Sequence, residues 1–326
     1  MSSVPKNPSG SYQPESRIDI PPLYAWPPRP LKALHWLFFD LFYPWGFTFI
    51  VLAFVSWYYL TPALASMAEF KPGWIALLWL RNAVLLSIVA GGLHWWLYMR
   101  RKQDKAFKFN DQWMATDSKL FLWGNQVWDN MFWSIVSGVT IWTAYEAITY
   151  WIYANGYLPV PSISEHPLYF VVCLLGVFFW GTIHFYAIHR LSHWPPLYKI
   201  SHELHHRNVN TGPWTGISMH PIEHLLYFST FVLFWFVPVH PVIVVVSGLF
   251  MGISPATSHS GFDFLEVKGK RFSTGDWYHQ LHHQYFNFNY GNVMSPLDQL
   301  FGSWHDGTLE SLQIQKSRLR RKRRAT

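Results

Sequence analysis

The chain has 326 residues, of which 50% are hydrophobic and 13% charged, and a formal net charge of +7. Charged content is about half the ~25% of ordinary soluble domains, which excludes a disordered, collagen-like or typical cytosolic chain. The single cysteine, Cys173, excludes an internal disulfide framework and any cysteine-based metal site. What stands out instead is 20 tryptophans, and 17 histidines set against 18 acidic residues.

Residues 1–30 are rich in Pro and Ser and lack the basic-then-apolar layout of a secretory signal, so they read as a flexible N-terminal arm. Four apolar stretches follow at roughly 41–62, 74–99, 131–153 and 167–188. Each approaches the ~20 residues that cross ~30 Å of hydrocarbon. Trp57, Tyr58 and Tyr59, Trp95, Trp96 and Tyr98, and Tyr150, Trp151 and Tyr153 crowd their ends, as an interfacial aromatic belt requires. A fifth apolar region, 225–253, is broken by Pro238-Val239-His240-Pro241 and is expected to form a helical hairpin rather than one span. Cationic residues gather after the second span (Arg100, Arg101, Lys102, Lys105, Lys108, Lys119), whereas the first connecting loop carries only Lys71 and the third none. The positive-inside rule then places both termini, the 100–130 loop, 189–224 and everything after 253 in the cytoplasm. Arg81, inside the second span, is expected to snorkel or to face the bundle.

Fourteen of the 17 histidines lie between His184 and His305, mostly in tight groups. His189 and His193 share a helix face at i,i+4, with His184 a turn or more earlier as a further candidate. His202, His205 and His206 form H-E-L-H-H; His220 and His224 bracket H-P-I-E-H; His259 stands alone in S-H-S-G; His279, His282 and His283 form H-Q-L-H-H. Imidazoles at i,i+3,i+4 can hold a first-row metal at ~2 Å without thiolates. Eleven of them suffice for two ions, and imidazole suits iron, zinc, copper and nickel alike. One such box is as readily a satisfied buried histidine pair; several boxes assigned to the same membrane side are not. Glu203, Glu223, Asp263 and Asp276 are candidates to accept the far ring N–H of a ligating histidine. Ordinary helix N-terminal charge is the alternative for Glu203 and Asp276. His35, His94, His166 and His240 read as interfacial or capping residues, and His305 stays open.

The succession H-R-L-S-H, H-E-L-H-H, M-H-P-I-E-H, H-S-G and H-Q-L-H-H, ending in D-Q-L-F-G-S-W, resembles the fatty acid hydroxylase / sterol desaturase superfamily of integral-membrane di-iron enzymes. The resemblance covers roughly 125–308 and is nearer the sterol desaturase and bacterial lipid hydroxylase branches; His184 stands where relatives often carry another residue. It implies two iron ions (zinc in a purified form being the alternative) and O₂. It also implies a membrane lipid that is hydroxylated or desaturated. No dinucleotide fingerprint, haem-binding H-P-G-G or C-x-x-C pattern is present, so an external electron donor, of cytochrome b5 or ferredoxin type, is expected.

The fold class expected is therefore an all-α integral membrane protein, with about four transmembrane helices, a helical hairpin and a cytoplasmic histidine-rich cap holding a dimetal site. Its regions are the arm (1–30), two helices and a basic loop (31–130), a hydroxylase-like catalytic domain (131–308) and a basic tail (309–326). The membrane is the endoplasmic reticulum if the source is eukaryotic and the inner membrane if it is bacterial. The competing class is a histidine-rich metal transporter or a non-catalytic zinc-bound relative. The +7 is local: Lys316 to Arg324 contains seven basic residues and no acidic one. Such a tail attracts anionic lipid and, beside four apolar spans, does not indicate nucleic acid.

Overall fold

Prolines set the starts of the long helices. Pro30, Pro72, Pro167 and Pro241 each occupy a first helical turn, where the missing N–H costs nothing. The computed structural model describes residues 10–325, with side chains through residue 320, so the first nine residues of the expected arm lie outside the described residues. The chain is mostly helical. In order it forms α1 (Pro30–Leu60), α2 (Pro72–Met99), α3 (126–154), α4 (Pro167–Ser192), α5 (195–206), α6 (221–235), α7 (Pro241–Ser258), α8 (Trp277–Tyr285), α9 (Leu297–Leu300) and α10 (Leu309–Ala325).

Four of these helices are long and apolar enough to cross a membrane: α1, α2, α4 and α7. The membership differs from expectation in one place. Helix α3 is continuous over the expected third span, but its Trp, Tyr, Thr and Ser residues and Glu146 lower its hydropathy, and it is not among the four. The expected hairpin does form, with α6 and α7 as its arms and the turn at Phe236–His240. Its second arm qualifies as a span and is the most enclosed of the four, 78% buried. Val242 through Leu249 are all buried, which is why this run shows no polar face. Gly248 and Gly252 let α3 approach: a Cβ at either would lie 2.6 Å from an atom of Trp142.

A two-stranded antiparallel hairpin corrects the all-α expectation. Strands β1 (Phe264–Val267) and β2 (Lys270–Ser273) pair from Phe264↔Ser273 to Val267↔Lys270. Lys268 and Gly269 both have positive φ, 51° and 75°, as a two-residue hairpin turn requires. Trp45 Nε1 donates to Ser273 O at 2.8 Å, which joins this hairpin to α1. Helix α1 is itself interrupted: Tyr43, preceding Pro44, is extended (φ −92°, ψ 134°).

Arg81 faces the bundle. Its Nη2 donates to Glu146 Oε1 (2.5 Å) and its Nη1 to Thr61 Oγ1 (2.7 Å), while Tyr150 Oη and Asn82 Nδ2 also donate to the Glu146 carboxylate. Both charges are buried and both carboxylate oxygens accept hydrogen bonds, the condition under which a buried pair is tolerated. Arg81→Ala strands the Glu146 carboxylate and is expected to cost ~3–5 kcal/mol. Replacing both residues by Met is expected to recover most of that loss. Unfolding curves of the detergent-solubilised protein and the two variants check this; equal stability of Arg81→Ala and the parent would refute it.

Candidate metal centre

The site is assembled from the ends of four helices. Helix α4 carries His189 and His193 in its final turns and stops where Trp194-Pro195-Pro196 forces extended backbone. Helix α5 returns His202, His205 and His206. Arg207, just beyond it, donates to both Asp129 oxygens (2.7 and 2.5 Å) and ties α5 to α3. His259 follows the last turn of α7. Helix α8, capped by the Asp276 carboxylate on the His279 N–H, presents His279, His282 and His283.

Nine of the eleven expected ligands converge into two adjacent groups. His189, His193, His202, His206 and His282 form the first and His205, His259, His279 and His283 the second, with candidate donor atoms within 4.8 Å of one another in each. Only His193 is less than buried. The groups adjoin, His206 and His283 ring centroids being 5.0 Å apart. The other two expected ligands go elsewhere. His220 caps α6 by accepting from Ile222 N. His224 spends both nitrogens on protein partners, Ser137 Oγ at 2.9 Å and Ile217 O at 3.0 Å. His184, paired with Ser229 Oγ, and His305, whose Nδ1 accepts from Gly307 N, lie outside both groups.

Hydrogen bonds fix which nitrogens are bare. A ring nitrogen facing a carbonyl must donate. His189 Nδ1 meets Tyr290 O (2.6 Å), His282 Nδ1 meets Phe288 O (2.6 Å), His205 Nδ1 meets Ser218 O (3.3 Å) and His259 Nδ1 meets Pro255 O (3.0 Å). His202 Nδ1 donates to Glu223 Oε1 at 2.6 Å. In neutral imidazole each opposite Nε2 is then a lone pair. The bare Nε2 atoms of His202 and His282 both face Nε2 of His193, and that of His282 also faces Nε2 of His206, all at 3.0–3.1 Å. In the second group Nε2 of His259, His279 and His283 has no hydrogen-bond partner among the described residues. His193 has at most one Nε2–H for the two bare nitrogens it faces, whereas nitrogens bound at ~2.1 Å to one ion lie ~3.0–3.4 Å apart for 90–109° angles. The donor set therefore fits a metal ion in each group.

Of the four carboxylates expected to support the ligands, Glu223 does so directly. Asp276 holds the backbone of His279 rather than a ring, Asp263 accepts from Tyr12 Oη at 2.7 Å, and Glu203 is exposed on α5. The carbonyls of Phe288 and Tyr290 had no sequence signal. They sit in a loop shaped by positive φ at Phe286 and Asn289 (67° and 54°). The Asp298 carboxylate holds that loop, accepting from Tyr290 N, Gly291 N and Ser303 Oγ. Asp298 opens the D-Q-L-F-G-S-W segment, the only hint available in sequence.

A cavity of about 270 Å³ touches both groups. Its polar lining is His189, His202, His205, His259, His279, Glu223 and Asp276; its apolar lining includes Phe185 and Ile188 of α4, Phe250 and Met251 of α7, Leu41 of α1 and Met294. Gly216 makes room beside it, since a Cβ there would lie 2.5 Å from the Pro255 carbonyl oxygen that orients His259.

Residues 170–303 match the family model described as fatty acid hydroxylase, a stretch that contains all nine clustered histidines. The resemblance drawn from the histidine boxes therefore holds over that stretch. Similar curated proteins include the Delta(7)-sterol 5(6)-desaturase of Eremothecium gossypii (33% identity over 37% of this chain and 34% of that protein). The Saccharomyces cerevisiae Delta(7)-sterol 5(6)-desaturase is 29% identical over 36% of this chain and 32% of its own. Human lathosterol oxidase is 27% identical over 41% and 45%. The chain thus spans about a third to under half the length of these relatives. No solved structure matches it.

Burial holds the imidazoles neutral. It lowers His205 to about 4, and it pushes His202, His206, His279, His282 and His283 well below the usual value, with mutual repulsion among the rings adding to it. Burial raises Asp276 to about 6, which works in the opposite sense, but it is one group against the several lowered imidazoles. Below the unfolded imidazole value of ~6.5 the unfolded chain takes up protons that the folded chain refuses. The chelator-treated protein is therefore expected to keep full stability above pH ~6.5 and lose it progressively toward pH 4. Melting curves across that range test the sign; a midpoint that does not fall with pH would contradict it.

Proposed function

We propose that this protein is an O₂-dependent membrane oxidoreductase that hydroxylates or desaturates a lipid at a di-iron centre. The observation that carries this reading is the pair of adjacent imidazole clusters at one cavity whose apolar lining comes from candidate membrane-spanning helices. The likeness to sterol desaturases and to lathosterol oxidase supports a lipid substrate and oxidation.

His189, His193, His202, His206 and His282 would hold one iron and His205, His259, His279 and His283 the other. Two irons there supply O₂ reduction and hydrogen removal from an unactivated C–H bond. The chain's own residues do the rest. Backbone carbonyls at 218, 255, 288 and 290 and the Glu223 carboxylate clamp the rings by their Nδ1–H groups, which fixes both tautomer and aim. Phe185, Ile188, Phe250 and Met251 give the acyl or sterol body an apolar bed next to the histidines and exclude water from it. Each turnover consumes O₂, two electrons and two protons; hydroxylation returns one water and desaturation two. The electrons would come from an external protein donor, and the cationic residues around the 100–130 loop and in the tail support a cytoplasmic cap, where such a donor and the tail's anionic lipids would be met. Metal transport is disfavoured because the clusters sit at helix ends instead of between broken helices at midplane.

Iron-loaded protein with donor and lipid extract is expected to take up O₂ and yield a lipid heavier by one oxygen or lighter by two hydrogens, and His282→Ala to yield neither. Tightly held zinc with no turnover would sink the proposal. Asp298→Ala, which releases the loop carrying the Phe288 and Tyr290 carbonyls, is expected to weaken metal binding at the first group ~10–100-fold and leave the second near parent affinity. Metal titration followed by elemental analysis reads this out.

A further inference from the structure

One cavity residue belongs to neither the metal set nor the apolar bed. Asp40 lies in α1, the only acidic residue of that candidate span, and it lines the cavity next to Leu41. No hydrogen bond or ion pair among the described residues occupies its carboxylate. Of all the residues that line the cavity, Asp40 alone is exposed, so it stands where the cavity opens to the outside.

The local backbone explains how a carboxylate is held there. Tyr43 breaks α1 ahead of Pro44, which separates residues 30–42 from the span that follows. The exposed Leu31, Leu34, Phe38 and Phe39 of this first segment continue the apolar surface of the span, with Asp40 turned to the cavity. Met294, a buried lining residue, is pinned because its carbonyl accepts from Tyr24 Oη. A long lipid lying along Phe185, Phe250 and Met251 with its body at the histidines would leave its polar end at this opening.

We propose that Asp40 receives the polar end of the lipid substrate and selects a hydrogen-bond donor there, a hydroxyl, while rejecting lipids that end in a carboxylate or phosphate. A carboxylate offers acceptors only: it bonds a hydroxyl in a charge-assisted way and repels a second anion. The substrate class is accordingly a hydroxyl-ended lipid, such as a sterol or long-chain alcohol, and not a free fatty acid. This inference rests on the reading of the cavity as a lipid site and not on turnover.

The test is competition binding. Full-length protein in detergent is mixed with equal octadecanol and octadecanoic acid at mildly alkaline pH, and bound lipid is read by native mass spectrometry. Parent protein is expected to favour the alcohol by about tenfold or more. Asp40→Asn, which keeps an acceptor but removes the charge, should bring the ratio within about threefold by admitting the acid. Asp40→Arg should reverse it. Metal content and melting temperature serve as folding controls, and neither should change at this exposed position. Equal binding of acid and alcohol by the parent, or an unchanged ratio in both variants, overturns the proposal. Selectivity for the alcohol without any O₂ consumption would support it while sinking the oxidoreductase reading.

Discussion

A neutral imidazole has two nitrogens and one proton, and the candidate metal centre is organised around where that proton goes. Committing Nδ1–H to a carbonyl or to Glu223 leaves Nε2 as a lone pair, and the helices bring those nitrogens together in two groups. The four helices are each fixed by something besides the histidines: Trp194-Pro195 ends α4, the Arg207–Asp129 pair ties α5, α7 is enclosed, and the Asp276 cap holds α8.

The bundle also depends on paired polar groups. Arg81 and Glu146 are buried where neither could be tolerated alone, and Asn82, Thr61 and Tyr150 hydrogen-bond to the pair. This cluster joins α2 to α3 away from the histidines and has no part in ligation. Its presence in α3 is also one reason that helix scores as less apolar than its neighbours while still packing among them.

Much of the site was legible because helical geometry is regular. Residues four apart differ by ~40° around a helix and residues three apart by ~60° in the other sense. His202 and His206 accordingly share one group while His205 joins the other, and His279 and His283 part company with His282. The box H-P-I-E-H breaks the rule because Pro221 starts the helix after His220, which leaves His220 a cap; the box supplies Glu223 instead of an imidazole. The carbonyls of Phe288 and Tyr290 were not legible, since every residue has a carbonyl and only the fold chooses among them. The β-hairpin was missed although Lys268-Gly269 between short alternating segments carried a turn signal. Asp40 was missed because a single acid in an apolar run says nothing until a cavity is seen beside it.

Helix α7 has a consequence beyond packing. Its side chains Phe250 and Met251 form the apolar wall of the cavity, and a few residues on, its Pro255 carbonyl orients His259. Gly248 and Gly252 lock it against Trp142, and Gly216 leaves the Pro255 peptide no slack. The apolar lining of the cavity and the arm that aims a candidate ligand are thus parts of one helix. A change at Phe250 or Met251 is passed toward His259, as one at Ile188 is passed toward His189, the next residue of α4. Leu41 is the lining residue free of this coupling, because α1 carries none of the nine clustered histidines.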